Sequence, residues 1–279
     1  MNKVREVKQI ITGIAASDGD GVRLTRMIGS SQLNQLDPFL LFDAFGSDKP
    51  QDYIGGFPSH PHRGFEAVTY MMAGKMRHQD SVGNSGVIEA GGVQWMTAGK
   101  GIIHSEMPEQ EQGLLAGFQL WVNLPAAHKM TPPQYQEKPS AEIPIEAFDG
   151  GRMVVIAGNT QTGTEGVVDN NYVSPIYWDV ELQHQKIFFE IIPFNHNAFV
   201  YVIEGKIQMG LSRAVVAKNQ LAVLTEGNEI QLVAEKNSRF LLIAGMPLNE
   251  PVERAGPFVM NTKQEIRQAF FDYQTGQLA

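Results

Sequence analysis

Apolar residues along this chain recur in short runs rich in β-branched and aromatic side chains. Such runs occupy residues 66–72, 117–124, 153–157, 186–192, 198–203, 220–224, 229–233 and 239–243. Glycine (28) and proline (15) punctuate the intervals instead of clustering. Short strands spaced by turn residues predict an all-β sandwich or barrel. Helical periodicity is missing until the C-terminus. There Thr262 and Glu265 form a Thr-x-x-Glu capping box, and Ile266, Ala269, Phe270 and Tyr273 make an apolar stripe, which predicts one short helix packed across a sheet. At the other end, Val4, Glu6 and Lys8 alternate with Arg5, Val7 and Gln9, the pattern of a lead into an edge strand. The apolar run 10–16 is short, contains Thr12 and Gly13 and follows Glu6 and Lys8. It does not read as a signal peptide, and no segment reaches the length of a membrane span. A cytoplasmic protein is expected.

Two segments repeat. Tyr70-Met-Met-Ala-Gly74-Lys75-Met76 matches Tyr201-Val-Ile-Glu-Gly205-Lys206-Ile207, each a strand running through a Gly-Lys turn into another strand. Carried upstream at constant offset, the match sets His60 against Ile191 and His62 against Pro193. A duplicated β-domain is predicted, with ligand chemistry in the first copy alone. The stretch 131–144 holds four prolines and reads as an extended connector. The expected domains are therefore 1–130, the connector 131–144, and 145–279 with the terminal helix.

Composition narrows the chemistry. With 43 % apolar and 19 % charged residues the 279-residue chain is an ordinary globular one. Its net charge of −8 argues against direct binding to nucleic acid or anionic membranes. Without cysteine, thiolate ligands, thiol nucleophiles and disulfides are excluded. His, Asp and Glu remain as the strong metal ligands.

Two clusters supply them. In Ser59-His60-Pro61-His62-Arg63-Gly64-Phe65-Glu66 the two histidines are at i and i+2, on one face of a strand. His104 and Glu106 repeat that spacing after the Gly99-Lys100-Gly101 turn. Two strands each presenting two ligands can converge on one ion, so His60, His62, His104 and Glu106 are the expected metal ligands. The alternative, four unrelated polar residues, fits a lone His-x-His better than two such pairs. Three neutral nitrogens and one carboxylate suit Fe(II), Mn(II), Co(II), Ni(II) or Cu(II) better than Ca or Mg. On a six-coordinate ion they leave two positions open, whereas a structural zinc site would be closed and tetrahedral. His78 is a candidate at the barrel mouth. His128, His184 and His196 lack partners at strand spacing and read as solvated or structural. Arg63 could reach Glu106 or a substrate oxygen, or form an ion pair. Phe57, Met72, Trp95 and Met96 are candidate cavity residues, with ordinary core as the alternative. Gly99 and Gly101 lack P-loop spacing and read as turn residues.

The order Gly, His-x-His, Glu66 and Gly101-x-x-His104 resembles the two motifs of the cupin superfamily. LDPFLLFD (36–43), HPHRGFE (60–66), VQWMTAGKGIIHSEMP (93–108), FQLWVNLP (118–125) and GPFVMNT (256–262) resemble the pirin family and its bacterial members. The resemblance implies a bicupin, two tandem jelly-roll-like β-barrels with one metal in the N-terminal barrel. That metal is usually iron, with Mn, Ni, Co, Cu or Zn as alternatives. The family's ligands fall on His60, His62, His104 and Glu106. General cupins often use a glutamate at the position of Glu66; pirins do not, so the resemblance gives Glu66 a supporting or structural role, with a ligand role as the alternative.

The activity implied is quercetin 2,3-dioxygenase chemistry, with a small aromatic, flavonol-like substrate and O2 on the metal and Glu106 as the catalytic base. The resemblance does not identify substrate-binding residues. It also implies a second role, as a redox-dependent partner of a transcription factor or metabolic enzyme.

Overall fold

The structure, a computed structural model, describes residues 2–279. Met1, the first residue of the N-terminal segment read above, lies outside them. The chain begins with β1 (Val7–Thr12). There follow β2 (Ile14–Asp18), β3 (Val22–Ile28), β4 (Phe39–Ser47), β5 (Phe57–His62), β6 (Phe65–Ala73) and β7 (Lys75–Asp80). Then come β8 (Ser85–Glu89), β9 (Val93–Thr97), β10 (Ile102–Pro108), β11 (Leu115–Asn123) and β12 (Gln134–Lys138). The next stretch holds β13 (Ile145–Phe148), β14 (Gly151–Ala157), β15 (Ile176–Leu182), β16 (Ile187–Ile191), β17 (Asn197–Glu204) and β18 (Lys206–Met209). It ends with β19 (Ala214–Ala217), β20 (Gln220–Leu224), β21 (Glu229–Ala234) and β22 (Ser238–Gly245). The chain closes with the hairpin β23 (Glu253–Ala255) and β24 (Phe258–Met260) and with α1 (Lys263–Gln274). All eight runs picked out by their apolar pattern lie on strands.

The chain forms two compact units. The first comprises Ile14–Gln35, Phe39–Ser140 and Leu248–Ala279; the second comprises the segment ending at Gly13, Leu36–Pro38 and Ala141–Pro247. The two have one plan. The first unit has a seven-stranded sheet, β12-β9-β6-β11-β4-β3-β2, and a four-stranded one, β5-β10-β7-β8. The second has β1-β20-β17-β22-β15-β14-β13 and β16-β21-β18-β19. Strand for strand the orders correspond, which is the fold of a bicupin. Each unit is a pair of sheets, in keeping with the jelly-roll-like arrangement expected.

The edge strand is the exception to simple repetition. In the first unit it is β12, which follows the other strands in sequence. In the second it is β1, which precedes them all and pairs with β20 from Val7↔Leu224 to Thr12↔Gln220. The N-terminus thus serves the second unit, and the C-terminal hairpin and helix serve the first, so the expected boundaries differ at both chain ends. The segment 131–144 also differs from an extended connector. Residues 134–138 pair with β9 from Gln134↔Thr97 to Lys138↔Val93. The prolines, 132, 133, 139 and 144, fall outside the strand, so no ladder N–H is lost.

The repeated Gly-Lys turns are equivalent. Gly74 and Gly205 have φ of 79° and 81° between β6–β7 and β17–β18, a left-handed conformation that glycine adopts without strain. Upstream, the constant offset fails. The β5–β6 connection is Arg63–Gly64, whereas β16 and β17 are joined by residues 192–196, so Ile191 and Pro193 are not the structural equivalents of His60 and His62.

The cores differ in kind. In the second unit one apolar cluster joins both sheets, with Trp178, Val200 and Leu242 from one and Phe188, Ile207 and Leu232 from the other. In the first unit the apolar residues fall into separate clusters: one around Phe45, Met71 and Met76, a second around Phe65, Ala67 and Ile102, and a third under α1 around Phe258 and Ile266. The inward residues of β10 run from Ile102, in the second cluster, through His104 and Glu106. Pro108 then pairs with Met76 of the first cluster. A polar column therefore interrupts the core of the first unit alone.

The terminal helix caps as expected. The Glu265 N–H donates to Thr262 Oγ1, and the Thr262 hydroxyl donates to Glu265 Oε2 at 2.9 Å. Ile266 and Ala269 are buried, and Phe270 and Tyr273 meet the ring of Phe258 edge-on. The sheet it covers is the two-stranded β23–β24.

Candidate metal centre

β5 and β10 are antiparallel neighbours, with Ile102 opposite His62 and His104 opposite His60. This register sets three imidazoles together. His60 and His104 ring centroids are 4.4 Å apart, His60 and His62 4.6 Å, and His62 and His104 5.0 Å. One ring nitrogen from each lies within 4.8 Å of the other two. Among the described residues this is the one group of three or more potential ligands found.

The hydrogen bonding of these rings is incomplete in an informative way. His60 Nδ1 lies 2.8 Å from the Pro58 carbonyl oxygen. That bond puts the proton on Nδ1 and leaves the Nε2 lone pair available. The Nε2 atoms of His60 and His62 face one another at 3.0 Å. Both ring nitrogens of His104 are buried without a hydrogen-bond partner. Each such buried polar atom costs about 1–3 kcal/mol, and a cation held by one nitrogen of the ring relieves that one. Burial, and then the neighbouring imidazoles, pushes His62 and His104 well below the ordinary histidine range, so both are neutral, the state a metal ligand requires. The residues present fit a divalent transition metal.

Glu106 continues the inward face of β10, after a register shift that sets it opposite Phe57. Its Oε1 accepts the hydroxyl proton of Thr69 at 2.8 Å, and its side chain lines the same cavity as His60 and His62. Glu66 points the other way. Phe65 packs on His62 at 5.0 Å and Thr69 reaches Glu106, so odd-numbered residues of β6 face the site and Glu66 faces away, accepting from Thr97 at 2.7 Å.

The cavity above the imidazoles measures about 470 Å³. Phe57, Pro58, Leu41, Trp121 and Pro257 give it apolar walls, and Gln119, Asp18, Asp43 and Arg254 give it polar ones. Of the cavity residues expected, only Phe57 is there. Trp95 and Met96 are fully buried core on β9, because both faces of that strand are covered. Trp121 was legible within the FQLWVNLP segment; Arg254 carried no signal.

One expectation is corrected. His78 is 3 % exposed, faces inward on β7 and lies 2.5 Å through Nε2 from Glu137 on β12, so it is not at an open mouth. Of the readings open for Arg63, the structure shows the ion pair, though a buried one: it pairs with Asp272 of α1 at 2.6 Å and also reaches the Lys100 carbonyl. His128 and His184 are exposed. His196 is buried in the 192–196 connection. Gly99 and Gly101 are turn residues with φ of 53° and 146°.

A bicupin with a three-histidine group in one unit defines the class. Comparison with known proteins narrows it. The Pirin family model matches residues 21–122, and that of the Pirin C-terminal cupin domain matches residues 177–279. A pirin-like protein of Caulobacter vibrioides is 50 % identical, with 98 % of this chain and 99 % of that one covered. Human pirin is 42 % identical, with 98 % and 94 % covered. A crystal structure of quercetin 2,3-dioxygenase from Acinetobacter baumannii superposes with a TM-score of 0.92 at 36 % identity, covering 99 % of each chain. The chain belongs to the pirin family.

Proposed function

We propose that the first unit binds one divalent transition metal, Fe(II) in the first instance, through His60, His62, His104 and Glu106, and that the chain is a dioxygenase of the quercetin 2,3-dioxygenase type. The observation that carries this reading is the three-imidazole group, of which His60 and His62 line a partly apolar cavity together with Glu106. The likeness to the Acinetobacter quercetin 2,3-dioxygenase supports the substrate class, a flavonol-like aromatic with adjacent oxygens, and O2. When bound, the metal supplies coordination sites for substrate oxygens and O2. The protein's own contribution is positional and protic. Trp121, Phe57 and Pro58 enclose the aromatic body and exclude water. Glu106, its Oε1 held in place by the Thr69 hydroxyl, would accept a proton from a substrate hydroxyl.

Oxygen uptake with quercetin, normalised to bound metal, tests the reading. Turnover above that of the free ion is expected with at least one of iron, manganese, nickel or copper. No turnover with any of them contradicts it and leaves the metal-dependent binding role.

A further inference from the structure

Arg254 lies on β23, on the C-terminal segment that returns to the first unit, and lines the metal cavity. Its guanidinium stacks over Trp121, 4.6 Å from the ring centroid. Trp121 in turn meets His62 edge-on at 5.3 Å. One fixed cation thus stands a single ring away from the imidazole group.

The carboxylates of the same wall belong to another arginine. Arg26 donates to Asp43 at 2.9 and 2.7 Å and to Asp18 at 3.0 Å. Arg254 has a backbone partner instead, its Nη1 donating to the Leu40 carbonyl at 3.2 Å, and among the described residues no carboxylate forms an ion pair with it. A guanidinium carries five N–H donors in a rigid fork. One bond to Leu40 leaves most of that fork available, and stacking on Trp121 fixes its plane in advance, which lowers the entropy cost of a further bond. Arg254 and Gly256 also border a second cavity, of about 500 Å³, shared with Asn34 and Gln35. The residue is therefore the wall between the metal cavity and a polar one.

We propose that Arg254 determines the specificity of the metal cavity. It selects aromatic chelators that carry, beyond the oxygens given to the metal, one more anionic oxygen: a carboxylate or an ionised phenol. The apolar walls take the ring, the imidazole end takes the chelating pair, and the fork of Arg254 takes the remote anion. This inference rests on the chelation reading of the preceding section.

The test compares ligands that share a chelating pair and differ in the anion. Catechol, 2,3-dihydroxybenzoate and 3,4-dihydroxybenzoate are titrated calorimetrically into the full chain loaded with Ni(II). The wild-type chain is expected to favour at least one benzoate over catechol by about tenfold or more, the scale of a charge-assisted hydrogen-bonded pair. Arg254→Gln is expected to erase that ratio while leaving catechol affinity and nickel content unchanged, and Arg254→Lys to retain part of it. An unchanged ratio in Arg254→Gln, or no preference in the wild type, overturns the proposal. So does an equal loss of both ligand classes in Arg254→Gln, because Arg254 would then be only a wall. If Arg254→Gln loses nickel, Arg254→Lys decides: a preference retained with normal nickel supports the role, and a preference lost refutes it. A wild-type chain that holds nickel and binds none of the three ligands refutes the chelation reading itself, and the proposal with it.

Discussion

The hydroxyl of Thr69 and the carboxylate of Glu106 hold each other at 2.8 Å, and Glu66 sits one strand face away against Thr97. That placement separates two glutamates whose spacing in sequence makes either a plausible ligand. Glu106→Gln removes the charge beside the imidazoles and is expected to weaken metal binding strongly, read as competition against a chelator. Glu66→Gln is expected to leave the affinity near that of the wild type. The reverse order would make Glu66 the fourth ligand.

The His-x-His and His-x-Glu pairs were legible because a strand's period of two fixes their faces. The bond of Glu106 to Thr69 was not, because Thr69 lies on β6 in the other sheet of the unit and the contact depends on how the two sheets face each other. His196 shows the same limit: the sequence left it solvated or structural, and burial settles the matter. Desolvation pushes its pKa down to about 4. The unfolded chain therefore takes up this proton first as the pH falls, and stability is lost from about pH 6.5 down to about 4. Urea midpoints at pH 7 and pH 4.5 should differ less in His196→Gln than in the wild type; an equal difference would remove His196 as a source of acid sensitivity.

At the scale of elements, the C-terminal segment holds the Arg63–Gly64 turn that follows β5. The Arg63 carbonyl accepts from Val259, its guanidinium pairs with Asp272, and Lys129 Nζ donates to the carbonyls of Gly64 and Val259 and to Asn123. Gly64 has φ of 88°, and a Cβ there would lie 2.0 Å from the Val259 carbonyl oxygen. Gly64→Ala therefore combines left-handed strain of about 1–2 kcal/mol with a backbone collision. It is expected to lower the melting temperature and to weaken metal binding by displacing His62. A variant with wild-type melting and wild-type metal affinity would show that the turn does not depend on this contact. The capping box made α1 legible from Thr262 and Glu265. Its destination was not, because an amphipathic stripe does not say which sheet it covers.

At the scale of the whole molecule, the duplicated strand order has two different interiors. In the second unit the inward residues of β21, the counterpart of β10, are Ile230, Leu232 and Ala234, and they join a continuous apolar core. In the first unit His104 and Glu106 lie on β10 between two of the separate apolar clusters. The Tyr70 and Tyr201 segments revealed the duplication because Gly74 and Gly205 need the same turn. The exchange of chain ends was hidden, since neither β1 nor the segment of β23, β24 and α1 carries a sequence signal that says which unit it joins. A three-histidine group in one interior of the two predicts, on the proposed reading, one ion per chain. The direct measurement is elemental analysis of the wild-type chain and of His62→Ala, each reconstituted anaerobically with Fe(II) and freed of unbound metal. The structure predicts one iron per wild-type chain and none in His62→Ala, with the β-sheet circular dichroism of the variant intact. Two tightly held ions per wild-type chain, or one ion retained by His62→Ala, would contradict it.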